Sequence, residues 1–133
     1  MRTVVLSASL IAFSVACGYA KLLLFPYLFF VELFTVAVFL SGILMGWSWG
    51  VWVGAVARLV FSVANPYGPP HPWILAAQVL GSAGAGALGG FLRSWLLRRV
   101  DNRGASRRRG AILVGAGFAA PLFYDLLTNV AQG

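Results

Sequence analysis

The sequence predicts an all-α, polytopic transmembrane bundle of about five helices in one domain. Three observations predict it. Hydrophobic residues make up 60% of the 133 positions and charged residues 10%, with a mean hydropathy of +0.86; soluble domains carry about 25% charged residues. A helical span needs ~20 mostly apolar residues, so five spans nearly use up the chain. The basic residues behind the net charge of +7 are unevenly placed, with Arg93, Arg98, Arg99, Arg103, Arg107, Arg108 and Arg109 in one stretch. Between apolar runs, that stretch reads as a cytoplasmic loop under the positive-inside rule and not as a nucleic-acid patch. A large soluble domain, a self-contained ATPase and a nucleic-acid-binding module are excluded.

The first apolar run, 3–20, lies between Arg2 and Lys21. Ser14-Val15-Ala16-Cys17 loosely imitates a lipoprotein cleavage site, but an apolar run resumes almost at once, so this run is read as a retained helix. Pro26 bends the segment that follows. The long apolar stretch beyond it breaks at Gly46-Trp47-Ser48-Trp49-Gly50, which gives helices over about 31–46 and 49–64. Residues 65–72 hold four prolines in eight positions and form a loop. A fourth helix follows over about 73–97, then the Arg-rich loop 98–109, then a fifth helix over about 110–129. With the Arg-rich loop inside a prokaryotic plasma membrane, the N-terminus is cytoplasmic, Lys21 is outside and Arg58 is within the bilayer.

Small residues mark packing faces. Ala8, Ala12 and Ala16 recur every four residues and form one smooth ridge on the first helix. Gly42 and Gly46 are expected to close-pack the second helix, and Gly50 and Gly54 the third. Gly84-Ala85-Gly86-Ala87-Leu88-Gly89 fits the G-x-G-x-x-G pattern, but it lies inside an apolar helix without a preceding strand and reads as helix packing. There is no P-loop motif. His71 is the single histidine and Cys17 the single cysteine, so the sequence offers no metal cluster, disulfide framework or catalytic constellation, and an enzyme is not expected.

Polar groups in an apolar chain are the informative ones. Glu32, Asn65, Tyr67, His71, Trp73, Gln78, Asp125 and Asn129 all converge on the outer side in this topology. They suggest an outward-facing pocket for a small hydrogen-bonding ligand, on which Tyr67, Trp73 and Tyr124 could stack. Each residue also has a structural reading. Glu32 could cap the second helix and Asn65 the third; His71 could be a solvated loop residue, Trp73 an interfacial anchor and Gln78 an interhelical bond. Arg58 should lie near the midplane, where it must pair with Glu32 or Asp125, line a wet cavity or meet an anion.

Glu32-Leu33-Phe34-Thr35, Gly42-Ile43-Leu44-Met45-Gly46, Asn65-Pro66-Tyr67-Gly68, Pro72, Gln78 and Tyr124-Asp125-Leu126-Leu127-Thr128-Asn129 together resemble the substrate-binding S components of energy-coupling factor (ECF) transporters, over about residues 5–130. The resemblance implies capture of a vitamin or related micronutrient from outside, without a cofactor. It also implies docking on a transmembrane coupling subunit driven by two cytoplasmic ATPases. The Ala8, Ala12, Ala16 ridge is similar to the family's docking surface. S components usually have six helices, so a sixth is expected beyond the five counted here. The competing expectation is a small cell-envelope scaffold without transport activity.

The topology is testable with Asn102→Cys in a Cys17→Ser background. A membrane-impermeant maleimide should label it only after cells are permeabilised, and labelling of intact cells would invert the orientation.

Overall fold

The computed structural model describes residues 1–24, 32–66, 68, 70–97 and 105–132, with the side chains of 96, 97, 105–108, 131 and 132 left aside. Five helices form: α1 (Arg2–Leu24), α2 (Leu33–Met45), α3 (Trp47–Val63), α4 (Pro72–Leu97) and α5 (Ala105–Gln132). No strand occurs among the described residues, which is the expected all-α class.

Two boundaries differ from expectation for clear reasons. The break after α2 is Gly46 alone, at φ +98°, and α3 begins directly at Trp47. A residue without Cβ adopts that left-handed conformation freely, so one position suffices for the turn. At the other boundary, α5 starts at Ala105 and takes Arg107, Arg108 and Arg109 into its first turns, which shortens the expected Arg-rich loop. Arginine is a good helix former, and no proline precedes Pro121 in this helix. Arg98, Arg99 and Arg103 lie outside the described residues.

The expectation of about five spans is also refined. Among the described residues, three segments are long and apolar enough to cross a membrane: Arg2–Leu24, Pro72–Trp95 and Arg109–Val130. The apolar helices α2 and α3 have only 13 and 17 residues. At 1.5 Å per residue they rise roughly 20 and 26 Å, against a hydrocarbon core of ~30 Å.

The chain folds up and down, and α4 lies at its centre, packed against α2, α3 and α5, while α1 packs on α2 and α3. Glycine sets the central contact. A Cβ on Gly86 of α4 would fall on the carbonyl of Gly50, and one on Gly42 or Gly50 would fall on the carbonyl of Gly86. Gly54 meets Ser82, and Gly89 meets the Phe39 carbonyl, in the same way. The G-x-G-x-x-G stretch is therefore a helix-packing seam, as expected, although its first glycine, Gly84, faces open space. Near the Gly46 turn, Arg93 reaches back from α4 and donates from Nη1 to the Leu44 carbonyl at 2.7 Å. It satisfies one of the orphan carbonyls at the end of α2.

On α1 the inward face is Ser14 and Gly18, with Gly18 against Phe61 and Phe34. Ala8, Ala12 and Ala16 are exposed. The alanine ridge is thus not used to pack α1 against its own bundle.

Gly86→Leu should destabilise the fold by at least ~1–3 kcal/mol, because backbone on both sides of the seam cannot yield as side chains do. Gly84→Leu should leave the melting temperature in detergent unchanged. Equal melting temperatures for the two variants would refute the seam.

Candidate functional site

The end of the bundle opposite the Gly46 turn gathers the C-termini of α1, α3 and α5 and the N-termini of α2 and α4. The Tyr19 hydroxyl ties this end together by donating to the Ala64 carbonyl just past α3. Beneath it lies the one charged group buried among the described residues, Arg58, at 7% exposure.

Arg58 sits in α3 five residues before Val63, so it lies roughly 8 Å along the axis from the helix end. Its guanidinium is enclosed by three rings. Cζ is 4.7 Å from the ring centroid of Tyr124, 5.1 Å from that of Phe34 and 5.6 Å from that of Phe61. Phe34 and Phe61 also touch each other, with centroids 5.6 Å apart, and Tyr19 lies against Phe61. A desolvated cation over a ring face gains about 2 kcal/mol. Three faces offset much of the ~2.5–3.5 kcal/mol that a cation costs in a spanning helix on insertion scales.

Glu32 stands at the N-cap position of α2, half-buried, and its Oε2 accepts a hydrogen bond from the Thr35 hydroxyl. It makes no side-chain bond to the helix N–H groups, so its place is set by Thr35 and by charge and not by capping. Arg58, Asp125 and Lys21 all act on it electrostatically. The expected ion pair for Arg58 therefore takes a looser form. Glu32 is its charged neighbour, while aromatic rings surround the guanidinium, and Nε has no hydrogen-bond partner.

The other expected site residues separate into two groups. Asn65, Gln78 and Asp125 are half-buried. His71, Trp73 and Asn129 are exposed, Trp73 at 76%. Tyr67 lies outside the described residues. The inward face of α5 is Ala120, Pro121, Tyr124 and Thr128, with the Thr128 hydroxyl donating to the carbonyls of Tyr124 and Asp125. Asp125 borders that face, one residue round from Tyr124. Tyr124 stacks on Arg58, where the sequence suggested stacking on a ligand. Phe34, Thr35 and Phe61 were not singled out as site residues. The spacing of Arg58 and Phe61, three apart on one helix, was the available signal.

Among the described residues no group of three His, Cys, Asp or Glu side chains could hold a metal ion. The half-buried Cys17 is free. A separate apolar groove of about 540 Å³ runs between α2 and α5, lined by Phe39, Ile43, Val114 and Phe118 among others. It brings no polar group to the Arg58 cluster.

Compared with known proteins, the chain matches no family model, no curated protein and no solved structure.

A double-mutant cycle checks the electrostatic pairing. Glu32→Gln and Arg58→Gln should each lower the melting temperature, and together by less than the sum, with a coupling of at least ~0.5 kcal/mol. Strict additivity would show that the two charges do not sense each other.

Proposed function

We propose that this chain is the substrate-binding S component of an ECF-type transporter, a multi-pass protein of a prokaryotic plasma membrane that takes up a vitamin or related micronutrient. One observation carries the reading. A bundle with almost no internal charge holds Arg58 and Asp125 within electrostatic reach of Glu32 at a single end, with aromatic and hydroxyl groups around them. Charge in an apolar bundle is costly and marks a functional place. A binding protein needs such a place, and transport needs nothing further from this chain if partners supply ATP hydrolysis.

The face of α1 supports the same reading. Ala8, Ala12 and Ala16 present small side chains outward while the opposite side of α1 is consumed by the bundle. A smooth, small-residue face lets another helix approach closely in lipid. In this reading that helix belongs to the transmembrane coupling subunit, which two ATPase subunits drive. Toppling of the binding component within the membrane then carries the loaded end from outside to inside. The clustering of the charged groups at one end, and not along a continuous channel, suits carriage by rotation of the whole bundle.

Co-expression with a coupling subunit and its ATPases tests this. The wild-type chain should co-purify with them. Ala12→Trp, which projects a bulky ring from an exposed position, should reduce that recovery at least ~10-fold without changing the melting temperature. Retention of the Ala12→Trp chain at wild-type levels, or failure of the wild type to associate, would count against the assignment. If the chain were a scaffold, Ala replacement of Glu32 and Asp125 would leave its function intact.

A further inference from the structure

Two buried donors near the charged cluster have no partner. Arg58 Nε and Tyr124 Oη are both shielded from solvent and make no hydrogen bond, in residues only 7% and 2% exposed. The two groups are neighbours, because the Tyr124 ring lies over the guanidinium with its centroid 4.7 Å from Arg58 Cζ. A third orphan, Ser82 Oγ, belongs to a fully buried residue of α4. It follows Gly81, on which the Tyr124 ring packs so closely that a Cβ there would lie 2.8 Å from Cδ2. Two helices, α3 and α5, thus bring unsatisfied polar atoms to one cluster, and α4 holds a third in the residue after Gly81.

Native folds rarely leave such groups unsatisfied, since each unmade bond costs about 1–3 kcal/mol. The chemistry of the set is one-sided. A guanidinium N–H only donates, and hydroxyls donate readily. Glu32, the carboxylate that acts on Arg58, accepts a hydrogen bond from Thr35 and makes none to Arg58 Nε. What would satisfy this group is an acceptor, and beside a cation buried among aromatic faces an anionic acceptor gains most.

We infer that Arg58 Nε and Tyr124 Oη hold the carboxylate or similar anionic group of the transported molecule. The inference rests on reading this end of the bundle as the ligand site, and it names the class of substrate: a small organic acid, entering anionic end first. Phe34 and Phe61 keep the guanidinium dry, which strengthens its bond to an anion. Glu32 supplies the opposing charge when the site is empty, so that Arg58 exchanges a distant carboxylate for a bonded one on loading.

Benzoate and its neutral isostere benzamide are the probes, added at equal ionic strength to the full chain purified in a nonionic detergent. Benzoate should raise the melting temperature in a saturable manner and benzamide should not. Tyr124→Phe keeps the ring packed on Arg58 and removes only the orphan hydroxyl. It should weaken benzoate binding roughly 10-fold. Arg58→Gln should abolish the preference for benzoate over benzamide. Equal responses to the two probes, or a Tyr124→Phe variant that binds benzoate as the wild type does, would overturn the inference and leave a buried water as the partner of these atoms. Failure of the transport reading registers separately. A chain that binds benzoate through Arg58 and Tyr124 but associates with no coupling subunit keeps the acid site and loses the transporter.

Discussion

Everything in this bundle depends on how closely α4 can approach the α2–α3 hairpin. Gly86 lies between Gly42 and Gly50, backbone against backbone, with Ser82 against Gly54 one turn further on. Apolar side chains gain little from one another in lipid, because hydrocarbon solvates them equally well. Close van der Waals contact and internal hydrogen bonds must hold the helices instead. The glycines permit that contact. The turn at Gly46 completes the arrangement by folding α3 back on α2 within one residue, and Arg93 closes the end of α2 from the neighbouring helix.

The charged cluster follows from that approach. With α4 seated in the hairpin, α5 packs on α4 through Tyr124 and Gly81, which swings the phenol ring over the guanidinium on α3. A larger residue at position 81 would push α5 outward and uncover Arg58. The aromatic enclosure is therefore a consequence of small residues elsewhere, and it explains how a cation is tolerated there without a tight ion pair. It also leaves α1 free to turn its alanine face outward, because α1 packs through Ile11, Ser14, Val15, Gly18 and Tyr19 instead.

Much of this was legible in the residues. The helix count, the proline-rich connection and the seam of glycines follow from composition and spacing, since these report directly on backbone solvation and steric room. Glu32, Arg58 and Asp125 could be picked out because charge in an apolar chain is costly wherever it falls. Faces were harder to read. Asp125 and Asn129 both read as site residues, yet Tyr124 and Thr128 take the inward positions and Asn129 is exposed. In a helix surrounded by lipid, hydrophobicity is nearly uniform around the axis, so no amphipathic pattern reveals which side turns inward.

The sequence by itself determined the class of structure, the order of its helices and the identity of its scarce charges, because a chain this apolar has few ways to satisfy its backbone outside helices. Only the tertiary structure decided what surrounds those charges. Whether Arg58 would meet a carboxylate or aromatic rings depended on the rotation of α3 and α5 about their own axes, and on how near α4 lets them come. Those are set by contacts between residues far apart in the chain, such as Gly81 with Tyr124 and Gly50 with Gly86, and no local pattern encodes them.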